Sequence, residues 1–132
     1  MAYLAFIWGT RTFLYWAYKP MQATLWDAMG PLRAELAALD RMLSDTNCRW
    51  VRAGTSGTRV HYTLWQGDDR AYVIACNASS DPAFVTFDVT PVFPRGTARP
   101  WHGDVRSQVA GDKLNASFGP YAREVFELVT AP

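Results

Sequence analysis

Along this chain the period of the hydrophobic positions changes once, near Asp45. Residues before that point read as helix, strand, helix, and residues after it as strands and turns. Ala2–Trp8 carries good helix formers and stops at Gly9, since glycine enters the left-handed conformation that ends a helix without steric penalty. "TFLYWAY", Thr12–Tyr18, is β-branched and aromatic without polar alternation, the pattern of a strand buried on both faces, and Lys19-Pro20 closes it. Leu25, Met29, Leu32, Leu36, Leu39 and Leu43 then recur at steps of four and three, which puts them on one stripe of a helix. Thr24 with Asp27 resembles a weakened capping box. Pro31 lacks an N–H and crowds the preceding turn, so the sequence predicts either a kink there or a main helix that begins at Pro31.

Beyond Asp45 the period becomes two. In "RVHYTLWQ", Val60, Tyr62 and Leu64 alternate with Arg59, His61, Thr63 and Trp65, as in a half-buried antiparallel strand. "GDDR", Gly67–Arg70, is a tight turn and "AYVIACNA" returns as a central strand, so the two runs predict a β-hairpin. "AFVTFDV", "TARPWHG", "KLNASF" and "AREVFELV" follow at short intervals between Pro, Gly and Asp clusters. The predicted fold is α+β and mainly β. It is an antiparallel β-sandwich of about seven or eight strands over residues 46–132, preceded by a helix–strand–helix segment over residues 1–45.

Composition narrows the classes of partner. A hydrophobic fraction of 49% and a charged fraction of 19% over 132 residues describe a globular chain long enough to bury a core. A formal charge of +1, with basic residues scattered, gives no field to draw in nucleic acid or an anionic membrane, and neither partner is expected. The apolar start "MAYLAFIW" is far shorter than the ~20 residues of a bilayer span and lacks a basic n-region and a cleavage site, so neither anchor nor signal peptide is expected. Cys48 and Cys76 lack the close spacing of zinc or redox pairs and read as two buried free thiols.

"YLAFIWGTRTFLYWAY" resembles the seventh helix and eighth strand of (β/α)8-barrel glycoside hydrolases of clan A, family 42 β-galactosidases especially. In those enzymes a Gly-Ala/Thr-Arg-Gly step leads into an apolar strand ending in Trp. Here the step reads Gly9-Thr10-Arg11-Thr12 and the strand reaches Trp16. "PYAREVFEL" and "YVIACNAS" are similar to the closing and central strands of the sandwich that follows the barrel in such enzymes. The resemblance implies that residues 1–45 are a remnant of the last barrel unit and that the rest is an accessory sandwich. It also implies a place for Trp16 at the rim of a sugar pocket, whereas the residues alone read Trp16 as a packed core aromatic.

Retaining glycosidases use two carboxyl groups about 5 Å apart. The resemblance places them at the ends of barrel strands four and seven, which have no counterpart here, so no catalytic residue is expected and the chain alone is not expected to be an enzyme. Of the glutamates, Glu35 reads as part of a solvated helix face, and Glu124 and Glu127, three apart on a strand, point to opposite faces. His61 and His102 are the only histidines, and no metal or cofactor site is expected. Ser56, His61 and Asp69 can be written as a triad, but no nucleophile-elbow glycines surround the serine. Trp65 shares a strand face with polar groups, as a sugar-stacking tryptophan does, or else it covers an interface with the helical segment. Trp101 and His102 complete the set of candidate carbohydrate-binding residues with Trp16 and Trp65. The expected partners are therefore a carbohydrate, or a second copy of the chain meeting through residues 1–44, whose apolar strand and helix would otherwise be left uncovered.

Overall fold

The computed structural model describes residues 1–10, 23–92, 96–103 and 105–130. The predicted strand Thr12–Tyr18, and Trp16 with it, lie outside the described residues. Two helices, α1 (Ala2–Ile7) and α2 (Ala23–Asp45), precede eight strands. These are β1 (Arg49–Ser56), β2 (Val60–Gln66), β3 (Ala71–Asn77), β4 (Ala83–Asp88), β5 (Gly96–Pro100), β6 (Arg106–Ala110), β7 (Lys113–Phe118) and β8 (Arg123–Thr130). They form an antiparallel sandwich: a five-stranded sheet in the order β1-β2-β3-β8-β5 faces a three-stranded sheet in the order β4-β7-β6.

Alternation along the strands builds the core between the sheets. Leu64, Val73 and Phe126 from the larger sheet meet Phe87, Leu114 and Phe118 from the smaller one, each almost wholly buried. The rings of Phe87 and Phe118 meet edge to face with centroids 6.2 Å apart, a favoured aromatic geometry. The β2–β3 hairpin turns where predicted, with the Gly67 N–H donating to the Arg70 carbonyl at 2.8 Å. Only glycine fits at position 67, because a Cβ there would stand 2.9 Å from the Thr46 carbonyl oxygen.

On the central strands β2, β3 and β8 the opposite face of the five-stranded sheet is covered by the helices. Tyr3, Phe6 and Ile7 of α1 and Leu39 and Leu43 of α2 pack on Trp65, Tyr72, Ile74 and Val125 in a second cluster. The molecule therefore has three layers: helices, a five-stranded sheet and a three-stranded sheet. This corrects the half-buried reading of β2, where Thr63 is 0% exposed and Trp65 8%. The Thr63 hydroxyl, shut off from water, donates to the Arg52 carbonyl at 3.0 Å.

Both helices end in a Schellman arrangement. In α1, Gly9 has φ 106° and its N–H donates to the Phe6 carbonyl, while Thr10 reaches back to Ala5. In α2 the left-handed position is taken by Asn47, φ 50°, with Cys48 N–H donating to the Leu43 carbonyl at 2.8 Å. α2 does not begin at Pro31, one of the two expected outcomes, but runs as a continuous helix through it. The carbonyl that loses its partner there belongs to Asp27, in an exposed stretch where water can replace the missing N–H. The apolar stripe is buried only toward the C-terminal end of α2: Leu39 and Leu43 are core residues, whereas Leu25 is 55% exposed.

At the end of β3, Asn77 is buried and fully satisfied. Its Nδ2 donates to the Asp81 and Gly119 carbonyls at 2.7 and 2.9 Å, and its Oδ1 accepts from Ser79 N–H at 3.1 Å. It ties the β3–β4 connection to the β7–β8 connection across the sandwich end. Asn77→Ala strands these three backbone groups and is expected to lower the unfolding free energy by about 2 kcal/mol, read by urea denaturation.

Candidate functional site

One cluster of charged groups lies where the helical layer meets the sheet. Arg123 is on β8, on the same face as Val125, and so points at the helices. Its Nε and a terminal nitrogen donate to the two carboxylate oxygens of Glu35 on α2, at 2.9 and 2.6 Å. The Tyr3 hydroxyl of α1 donates to the same carboxylate, and the Arg123 guanidinium lies 5.5 Å from the centre of the Tyr3 ring. His102 Nε2 stands 2.9 Å from Glu35 Oε1, off the line of a hydrogen bond, as a contact that becomes an ion pair when the ring is protonated. Glu35, read from sequence as solvated, has a side chain only 15% exposed. The period of α2 could not reveal this, because its partners come from α1, β8 and the bend after β5.

Burial alone would raise the Glu35 carboxyl, but the Arg123 fork, the Tyr3 hydroxyl and His102 outweigh it and hold the group below the usual carboxylate range. Burial, with Glu35 beside it, drives the Tyr3 hydroxyl well above the ordinary tyrosine range. The arrangement is therefore a fixed ion pair with a neutral phenol, geometry that fastens layers rather than passing protons.

Glu124 is 0% exposed. Its Oε1 accepts from His102 N–H at 2.8 Å and from Val125 N–H at 3.0 Å, and its Oε2 accepts from Gly103 N–H at 3.1 Å. These bonds hold the chain in a bend at 101–103, with Gly103 at φ 75°, so Trp101 and His102 lie beyond the end of β5 and not on a strand. Glu127, on the other face, accepts from Arg70 at 2.9 Å.

The predicted site residues thus separate. Trp65 stacks on Phe6 of α1 at 6.2 Å between centroids, inside the helix–sheet interface, with no open ring face for a ligand. Trp101 is 38% exposed, and His102 faces Glu35. The three residues of the written triad have different partners: Ser56 donates to the Thr86 carbonyl, His61 Nδ1 accepts from the Trp8 indole at 3.1 Å, and Asp69 pairs with Arg70. Cys48 and Cys76 are free thiols, and burial pushes Cys76 up to about 11, so it stays protonated and unreactive at neutral pH. Among the described residues no group of three or more His, Cys, Asp and Glu could hold a metal ion, and no helix is long and apolar enough to cross a membrane.

Two concave features stand out among the described residues. A cavity of about 430 Å³ lies between α1, the first half of α2 and the end of β3, lined by Tyr3, Leu32, Cys76 and Arg123 among others. A larger open cleft of about 890 Å³ runs along the start of β1, the β2–β3 turn and the segment after β4. Trp50, 51% exposed, lines it with Arg49, Asp68 and Thr90. Sequence reasoning passed over Trp50, although its place between Arg49 and Arg52 in an apolar run marks a tryptophan among charges.

No protein-family model matches the chain, and no curated protein matches it. Among solved structures, the crystal structure of alpha-amylase from H. orenii is weakly similar, with a TM-score of 0.42 and 16% identity over 61% of this chain. The chain spans only 16% of the length of that protein. A likeness this distant carries no argument about activity, and its neighbour is an alpha-amylase rather than a β-galactosidase.

Proposed function

We propose that the chain is a non-catalytic accessory β-sandwich of a carbohydrate-degrading enzyme, and that its helical layer is the remnant of the last unit of a (β/α)8 barrel of the family 42 type. One observation carries this reading: every glutamate is already engaged in holding the fold. Glu35 is clamped by Arg123 and Tyr3, Glu124 by three backbone N–H groups, and Glu127 by Arg70. A glycosidase needs one carboxyl group free to attack or to take a proton and a second to donate one, about 5 Å apart across an open sugar site. Three glutamates fixed by structural donors favour a supporting module over a glutamate-dependent hydrolase. Incubating the purified chain with a panel of nitrophenyl glycosides is expected to release no nitrophenol above background. Turnover that survives purification and is lost on substituting Glu35 or Glu124 would overturn the reading.

A second reading rests on the surface of the helical layer. Trp8, Leu25 and Trp26 are each more than half exposed there, which favours a homodimer through residues 1–44. Sedimentation velocity at rising concentration tests it, since a monomer at every concentration contradicts it.

A further inference from the structure

We propose that the cleft beside Trp50 is a glycan subsite that takes one uncharged hexopyranose ring, with the ring's C–H face on the indole and its hydroxyls shared between Asp68 and Arg49. The inference stands apart from the accessory reading, because a subsite can bind sugar whether or not the chain cleaves it.

β1 is an edge strand of the five-stranded sheet. Its register against β2 slips between Trp50 and Arg52. Such a bulge kinks the strand and re-aims side chains, and bulges recur beside binding sites. Here it leaves Trp50 51% exposed at the wall of the cleft, although its cross-strand partner Trp65 is 8% exposed. Pro91, exposed in the segment after β4, adds apolar surface to the lining. The volume, about 890 Å³, falls within the range of small-molecule sites, roughly 300–1,000 Å³.

The polar groups then select the ligand. Asp68 sits on the tight β2–β3 turn and Arg49 at the first position of β1, where it pairs with Gln66 across the strands. Neither side chain has an ion-pair partner among the described residues. A carboxylate only accepts hydrogen bonds and a guanidinium only donates them, whereas a sugar hydroxyl does both, so neighbouring hydroxyls satisfy the two together. Their opposite charges cancel, which disfavours an anion such as a phosphate, and the Thr90 hydroxyl is already committed to the Asp88 and Asp112 carboxylates. An apolar aromatic ligand would cover the indole but leave both charges facing a partner that offers no hydrogen bonds, which costs binding energy. A ring with an apolar face and a polar rim fits both halves of the cleft.

The test is a heteronuclear NMR titration of the full chain with maltoheptaose, cellohexaose, mannohexaose and β-1,4-galactotetraose in turn. At least one oligosaccharide is expected to shift the Trp50 indole N–H together with the amides of Gly67 and Asp68. Trp50→Ala is expected to weaken that binding about tenfold, the scale of one lost aromatic contact, and Asp68→Asn several-fold. Trp101→Ala is expected to leave it unchanged. Both substituted cleft positions are exposed, and unshifted amides of β3 and β8 report an intact fold. Should Trp50→Ala fail to fold, Trp50→Phe and Asp68→Asn carry the same test. The proposal is overturned if no oligosaccharide in the panel shifts these signals, if the folded Trp50 variant binds as well as the parent, or if the shifts map to Trp101 and His102 instead.

Discussion

Glu124→Ala is expected to lower the unfolding free energy by about 3 kcal/mol, the largest loss from any single charged group among the described residues. The carboxylate is wholly enclosed and serves three backbone donors, those of His102, Gly103 and Val125. Each buried donor left without a partner costs about 1–3 kcal/mol. The sum is held down because Gly103 is exposed and Trp101 is 38% exposed, so water reaches part of the vacated bend. Glu124→Gln separates charge from shape. Its amide oxygen still serves two donors, but its NH₂ group faces the third, and a loss of about 1–2 kcal/mol is expected. Chemical denaturation of both variants, with the slope against denaturant checked for constancy, gives the two values. Equal stability of Glu124→Ala and the parent would mean that the carboxylate does not hold the bend.

Glu35→Gln is expected to lower stability by about 2 kcal/mol at neutral pH. Breaking a buried ion pair costs about 3–5 kcal/mol, and the figure is discounted here because the Arg123 side chain is 45% exposed and partly solvated. The loss has a signature in pH. Arg123, Tyr3 and His102 hold the folded-state pKa of Glu35 below its ordinary value despite burial. A carboxyl depressed in the folded state stabilises above its unfolded pKa, about 4.3, and that contribution disappears as pH falls through the folded value. The stability gap between parent and Glu35→Gln is therefore expected to be full near neutrality and to shrink as pH falls from the unfolded value, about 4.3, through the lower folded one. A gap that stays constant down to acid pH would remove the ion pair from the account.

What could be read from the sequence follows from how local each signal is. The β2–β3 hairpin was legible because alternation and the turn "GDDR" both lie within one short stretch, as was the α1 stop at Gly9. β1 was not, since Arg49, Arg52 and Gly54 interrupt its alternation and a bulge shifts its phase. β6 was missed because five residues with Arg106 and Gln108 on the outer face offer only Val109 as an apolar signal. The outer face of β2 was misread for a different reason. Thr63 and Trp65 opposite the core look the same in sequence whether that face meets water or helices, and only the docking of α1 and α2 decides it. The same holds for the site. Glu35, Arg123 and Tyr3 are separated by 32 and 88 positions along the chain, so no local motif joins them. Glu124 was seen to point away from Glu127, but its partners, the amides of a bend, leave no trace in residue type.

The central claim is that the Tyr3–Glu35–Arg123 cluster fastens the helical layer to the sandwich. Amide hydrogen exchange on the full chain, parent against Glu35→Gln, tests it most directly. The account predicts that amides in α1 and in the second half of α2 lose protection in the variant while those of β2, β3 and β8 keep theirs. Helices that exchange freely in the parent, or whose protection is untouched by the substitution, would contradict it.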